Sequence, residues 1–67
     1  MELIITKHAR VQMLRRDVSE EQVKRCIKQG ARFRQTNGYI SDYAYIRVAY
    51  KKLKRDVYKI KTVMIKC

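Results

Sequence analysis

The hydrophobic period of the chain changes at Gly30, and this change limits the folds that the sequence can adopt. Before Gly30, the apolar residues Val23, Cys26 and Ile27 recur at helical spacing. After Gly30, apolar residues alternate with polar ones, as in the stretch 43–50. Helices followed by strands predict an α+β fold, with the helices packed on one face of a small sheet.

Local signals place the helices. Thr6 is a predicted N-cap for a helix running from Lys7 to about Arg16. Ser19 and Gln22 have the spacing of a capping box, and two glutamates follow Ser19 in the first turn, where they favour the helix dipole. Gly30 is predicted to end this second helix as its C′ residue.

Apolar runs and turn residues place the strands. Asn37-Gly38 predicts a β-hairpin with a type I′ turn. Strands are predicted over residues 3–5, over 31–36, from Tyr39 through the alternating stretch 43–50, and over 57–66. Residues 51–56 are predicted to form a charged loop between the last two strands. The apolar end of the last strand is expected to be covered on both faces. The sequence therefore predicts the order β-α-α-β-β-β with an antiparallel sheet, in one domain spanning residues 1–67.

The charge balance indicates the kind of partner. The 67 residues include 17 Lys and Arg but only 6 Asp and Glu, which gives a formal net charge of +11. Such an excess opposes compaction and is typical of proteins that bind polyanions. Nucleic acid is the first candidate, and an anionic membrane surface is the second. An acidic protein partner and a solvated basic surface without a partner remain alternatives.

Other features bear on the compartment. No uncharged stretch is long enough to cross a bilayer, so no transmembrane segment is predicted, and the first residues lack the features of a secretion signal. Nucleic acid is preferred to a membrane surface as the partner, so no membrane is among the predicted partners. Cys26 and Cys67 are then expected to be reduced thiols in a cytoplasmic protein, with a disulfide between them as the alternative. One histidine and two distant cysteines do not have the spacing of a zinc site, and no cofactor motif is present, so neither a metal nor a cofactor is predicted.

The first predicted helix has a row of polar residues. His8, Gln12 and Arg16 are spaced by four and lie on one side of the helix, with Arg15 beside them. A histidine beside arginines can serve as an acid or base while the arginines stabilise a phosphate. The alternative is that His8 caps or packs at the helix start and that the arginines are only solvated.

Two further groups of residues are candidates for nucleic-acid binding. Tyr43, Tyr45 and Arg47 alternate along one predicted strand and would share a face, which Lys59 and Lys61 would join if the last strand pairs beside it. Aromatic rings between cations are suited to stacking unpaired bases, although ordinary cross-strand packing gives the same pattern. The predicted loop adds four cations, for phosphate contacts or for solubility: Lys51, Lys52, Lys54 and Arg55.

The first helix also resembles a known family. His8-Ala9, Met13, Arg16 and Val18-Ser19 fit the opening motif H-A-x-x-R-M-x-x-R-G-I-S of a widespread family of small uncharacterised proteins. The stretch 59–64 is similar to the closing strand of that family. The sequence departs from the motif at Gln12, where the family has Arg, and at Asp17, where it has Gly.

That family is similar in layout to the RelE/ParE-like toxin fold. The resemblance implies an RNA-directed, metal-independent endoribonuclease in which the 2′-OH of the RNA is the nucleophile. His8 and Arg16 would be the catalytic residues, and an acidic antitoxin-like protein would be a partner. The tyrosine that many RelE-like ribonucleases have after the last strand is absent from this sequence.

These observations predict a basic protein that binds RNA or single-stranded nucleic acid. The resemblance implies a RelE-like layout, and endoribonuclease activity at His8 and Arg16 is one hypothesis for its function. The alternatives are a non-catalytic regulator and a module that docks an acidic protein, and a homodimer remains open. The predicted nucleic-acid-binding residues are Arg15, Tyr43, Tyr45, Arg47, Lys51, Lys52, Lys54, Arg55, Lys59 and Lys61.

Overall fold

The computed structural model of the protein describes residues 1–66 and shows an α+β fold. The elements are β1 (Glu2–Ile5), α1 (Lys7–Arg16), α2 (Glu20–Gln29), β2 (Ala31–Gln35), β3 (Gly38–Tyr43), β4 (Ile46–Lys54) and β5 (Val57–Ile65). The five strands form one sheet in the order β1-β5-β4-β3-β2. The expectations for Cys67, including a disulfide with Cys26, lie outside the described residues.

Both helices begin at the predicted caps. The Thr6 side chain accepts a hydrogen bond from the Ala9 N–H at 3.2 Å, and Ser19 forms both halves of the capping box with Gln22. These bonds satisfy backbone donors that the first helical turn leaves without partners. Gly30 ends α2 with an extended backbone, and its N–H donates to the Cys26 carbonyl at 2.9 Å.

The predicted α+β fold with two N-terminal helices on a small sheet is confirmed, but the sheet is mixed and not antiparallel throughout. β1 pairs with β5 in parallel, whereas the other three pairs are antiparallel. After β1, the chain passes through both helices and three hairpin turns before β5 returns beside it. This pairing joins residues more than 50 positions apart, and no local signal in the sequence specifies its direction.

The hairpin turns also differ from the predictions. The first turn is Thr36-Asn37, and Gly38 is already the first residue of β3. Neither turn residue has a positive φ, which excludes type I′. Gly38 has φ +144°, and a Cβ there would collide with the Tyr50 carbonyl, so a close approach of two strands requires this glycine.

The predicted strand 43–50 is interrupted. Tyr43 pairs directly with Ile46, and Ala44-Tyr45 form a two-residue turn in which Ala44 has φ 54°. The predicted charged loop is mostly strand, because β4 continues through Lys54 and only Arg55-Asp56 form the turn.

The core lies on one face of the sheet, beneath the two helices. α1 packs on β5 through Ala9 and Met13, and α2 packs on β3 and β4 through Val23, Cys26 and Ile27. The sheet contributes Ser41, Ile46, Val48, Tyr50, Ile60 and Val63. No helix between Met1 and Lys66 is long and apolar enough to cross a membrane.

The opposite face of the sheet has no covering layer within residues 1–66. The end of β5 was expected to be covered on both faces, but only Val63 is buried there, whereas Thr62 and Met64 are half-buried. We call this surface the open face. By strand alternation it presents Phe33 from β2, Ile40 and Asp42 from β3, Arg47, Ala49 and Lys51 from β4, and Lys59, Thr62 and Met64 from β5.

Candidate nucleic-acid interface

Two lysines of the open face stand directly opposite each other. Lys51 of β4 and Lys59 of β5 are Cα partners, both are exposed, and neither forms an ion pair within residues 1–66. Like charges at directly opposed positions destabilise a sheet. An anion placed between the two ammonium groups would remove this repulsion, so the pair is suited to a phosphate.

The same hairpin adds further cations. Lys52, Lys54 and Arg55 are all exposed near its tip. The only acidic residue of this hairpin, Asp56, lies 3.1 Å from the N-terminal ammonium group, which neutralises it. The tip therefore keeps an uncompensated positive charge, as the sequence predicted for these residues, although they lie mostly on a strand.

A groove runs beside the β2–β3 turn. It has a volume of about 640 Å³ and is lined by Arg34, the turn itself, Ala49 and Lys61. The Lys61 Nζ donates to the Asn37 carbonyl at 2.7 Å, which fixes the ammonium group at the edge of the groove. A β-bulge between Ala49 and Tyr50 leaves Lys61 without a cross-strand partner. A smaller groove beside the same turn is also lined by Lys51 and Lys52.

The structure does not form the predicted tyrosine platform. Arg47 and Lys59 lie on the open face and Lys61 is at the β-bulge beside them, but Tyr43 packs against the core on the helix side and Tyr45 is in the turn between β3 and β4. The two-residue turn at Ala44-Tyr45 breaks the alternation on which this prediction rested. Tyr45 is 52 % exposed, and its hydroxyl accepts a hydrogen bond from the Gln22 amide at 3.4 Å.

Arg47 is held by an acidic neighbour. Its Nε and Nη2 donate to the two carboxylate oxygens of Asp42 at 2.8 and 2.9 Å. These hydrogen bonds lower the pKa of Asp42 and raise that of Arg47. Lys66 lies 3.7 Å from the same carboxylate. Much of the Arg47 charge is therefore compensated within the protein.

The residues predicted to be catalytic are on α1. His8, Arg15 and Arg16 are exposed, and none of them forms a side-chain hydrogen bond or ion pair within residues 1–66. His8 and Arg16 are eight residues apart, which on a helix is about 12 Å. Gln12 does not complete this row, because its Oε1 accepts a hydrogen bond from the Val63 N–H at 2.9 Å. The structure does not bring His8 and Arg16 together.

Sequence reasoning missed several aromatic residues. Tyr39 stacks on Tyr50 with 5.6 Å between ring centroids, and Tyr58 meets Tyr50 edge-on at the same distance. Arg32 lies over the Tyr39 ring, and Lys52 lies over the Tyr58 ring. These rings close the end of the core on the helix side. The open face instead presents Phe33, which is 54 % exposed and whose position follows from the alternation of β2.

The remaining candidate chemistry is limited. Cys26 is buried, its Sγ lies 3.1 Å from the Ser41 carbonyl, and burial raises the pKa of its thiol. A raised pKa lowers the thiolate fraction and with it the reactivity. Within residues 1–66, no three His, Cys, Asp or Glu side chains converge as metal ligands do.

Comparison with known proteins gives a family but no named activity. No curated protein and no solved structure matches the chain. A family model described as "Domain of unknown function (DUF4258)" matches residues 5–65, which include both helices and extend from the end of β1 to the end of β5. The protein therefore belongs to the DUF4258 family.

Proposed function

We propose that the protein binds RNA or single-stranded nucleic acid through the open face and the tip of the β4–β5 hairpin. The observation that carries the proposal is the Lys51–Lys59 pair, two like charges held opposite each other with no acidic side chain paired to either within residues 1–66. Natural sheets avoid such pairs because they cost stability. A polyanionic backbone supplies the missing negative charge.

The rest of the surface supports the same function. Of the 17 Lys and Arg, only Arg10, Arg47 and Lys66 form an ion pair within residues 1–66, so 14 do not. Arg34, Lys61 and the hairpin cations surround the grooves beside the β2–β3 turn. Phe33 adds an exposed ring to the open face for contact with an unpaired base.

A pair of charge-matched double variants tests the proposal. Lys51→Gln with Lys59→Gln removes the opposed pair, whereas Lys7→Gln with Arg10→Gln removes the same charge from α1. Binding of a fluorescent single-stranded RNA is measured for both at several salt concentrations. We expect the first variant to bind RNA clearly more weakly than the second. The slope of log K against log salt should also become less steep, by the equivalent of up to two phosphate contacts.

Stability provides an independent measurement on the same proteins. Because the first variant removes a like-charge pair, we expect it to unfold at a higher temperature than the wild type while binding RNA less tightly. Equal loss of RNA binding in both double variants would mean that only net charge matters, and the proposed interface would then be wrong. Absence of RNA binding by the wild type at low salt would reject the function itself.

Endoribonuclease activity, which the RelE-like resemblance implies, is tested separately. The wild type and His8→Ala are incubated with a defined RNA in EDTA, and cleavage and melting temperature are both measured. If His8 is the acid or base, His8→Ala should reduce cleavage by about 10²–10⁴-fold without changing stability. If the wild type cleaves nothing, the protein is a non-catalytic binder.

A further inference from the structure

A small slot lies between α2 and the turn joining β3 to β4, at the opposite end of β4 from the hairpin tip. It is lined by Gln22 and Arg25 from α2 and by Tyr43, Ala44, Tyr45 and Ile46 from the turn region. Its volume of about 130 Å³ is well below the roughly 300–1,000 Å³ of pockets for drug-sized ligands. The slot therefore admits one flat ring and not a whole nucleotide.

Rigid elements hold the walls of the slot. The Gln22 Oε1 is fixed by the capping box, which leaves its Nε2 to donate to the Tyr45 hydroxyl. Tyr45 follows Ala44 in the β3–β4 turn, and the left-handed φ of 54° at Ala44 is unfavourable for a residue with a Cβ. The Tyr45 carbonyl accepts from the Lys66 N–H at 2.7 Å, which ties the turn to the chain after β5. The half-exposed Tyr45 ring is thus held in place although it does not fill the core.

The charges next to the slot favour one kind of occupant. Arg25 lines the slot and also an adjacent groove of about 340 Å³ on α2, which Lys24 and Lys28 line as well. None of these three cations forms an ion pair within residues 1–66, and Glu21 is the only acidic residue lining that groove. An aromatic slot beside a strip of free cations matches a base attached to a phosphate backbone.

We propose that this slot binds one unpaired nucleobase, stacked on Tyr45, with the flanking phosphates on Arg25, Lys24 and Lys28. The proposal rests on the proposed function and names a second contact for the same nucleic acid. Because α2 lies on the face opposite the open face, a single strand that reached both the slot and the open face would pass around the β3–β4 turn, with its bases unpaired. A duplex could not place a base in the slot without unpairing it.

The test compares a single-stranded RNA with an oligomer of the same length and charge that lacks its bases. Stacking of one base contributes about 5- to 150-fold to affinity, so the wild type should prefer the RNA with bases by at least that factor. Tyr45→Leu should lower affinity for the RNA with bases by that factor and leave affinity for the abasic oligomer unchanged. Tyr45→Phe keeps the ring and should bind like the wild type.

Two further variants complete the design. Arg25→Gln should weaken binding of both oligomers, because it removes a phosphate contact. Leu14→Ala, which changes an exposed side chain on α1, should alter neither affinity. Melting temperatures confirm that each variant is folded.

The outcomes separate this proposal from the proposed function. If Tyr45→Leu binds the RNA with bases as tightly as the wild type, or loses affinity equally for both oligomers, the slot does not bind a base. In either case the proposal for the open face stands, because it does not depend on Tyr45, and only the slot proposal is overturned. If the wild type binds neither oligomer, both proposals are wrong.

Discussion

Asp17 adopts a left-handed backbone conformation immediately after α1. Its φ and ψ are 54° and 46°, and its N–H turns back to the last carbonyls of the helix. This conformation costs free energy in a residue with a Cβ and is most often taken by glycine at a helix end.

We therefore expect Asp17→Gly to increase the free energy of unfolding by about 0.5 kcal/mol, because relief of the left-handed strain exceeds the added entropy of glycine in the unfolded chain. Urea denaturation measures the change. Asp17→Ala is the matched control, since it removes the same charge but keeps a Cβ, and it should not stabilise the protein. A gain in stability for Asp17→Ala would show that the charge is responsible instead.

The ion pair between Asp42 and Arg47 predicts a pH dependence. Arg47 holds the pKa of Asp42 below its ordinary value of 3.8, so the carboxylate stabilises the folded state fully above that pH. This contribution is lost as the pH falls below 3.8 through the lower pKa of the folded state. We expect Asp42→Asn to lower the melting temperature at pH 6 and the difference from wild type to shrink between pH 4 and pH 2. A constant difference over this range would contradict the prediction.

At the scale of the elements, Gln12 covers the part of the β5 edge that β1 does not reach. β1 pairs with β5 only as far as Ile60, which leaves the outer edge of the later residues without a strand partner in the described structure. Gln12 accepts the hydrogen bond from Val63 at this edge. The motif has Arg at position 12, and a guanidinium cannot accept a hydrogen bond. In this protein, Gln12 is a structural residue that covers the strand edge.

We predict that Gln12→Arg lowers the free energy of unfolding by about 1 kcal/mol, because the N–H of the buried Val63 loses its acceptor. Gln12→Glu keeps an acceptor oxygen of the same reach and should be less destabilising. Urea denaturation of both variants measures the difference, and amide hydrogen exchange at Val63 locates it. Equal stability of the two variants would mean that the hydrogen bond contributes nothing.

The sequence predicted the helices far better than the turns and the strand pairing. The caps at Thr6 and Ser19 are local, since each depends on residues within four positions, and both were confirmed. The turn at Ala44-Tyr45 was missed because alanine and tyrosine are not typical turn residues and the alternation of apolar residues seemed to continue through them. The parallel pairing of β1 depends on contacts across nearly the whole chain.

The same distinction applies to the candidate sites of the whole molecule. The net charge and the basic hairpin followed directly from composition, whereas the Lys51–Lys59 opposition depends on the register of two strands. The slot at Tyr45 joins a helix to a turn, and Arg25 had no signal in the sequence that marked it as part of a site. Residues that share an element could be grouped from the sequence, but residues brought together by packing could not.

At the scale of the whole molecule, the net charge of +11 predicts that salt changes folding stability and RNA affinity in opposite directions. Salt screens the repulsion among the cations, so the melting temperature should rise between about 0.01 and 0.15 M NaCl, over which the Debye length falls from about 30 to 8 Å. RNA binding should weaken over the same range, because counterions released into a more concentrated salt solution gain less entropy. If about six phosphates of a single strand are neutralised, log K should fall with log salt with a slope of about −4.

Both the melting temperature and the RNA affinity are measured against salt on one preparation, by thermal melting and by fluorescence titration. A melting temperature that falls with salt would mean that attractive ion pairs dominate the folded state, and RNA affinity that does not change with salt would mean that phosphates are not what the cations bind.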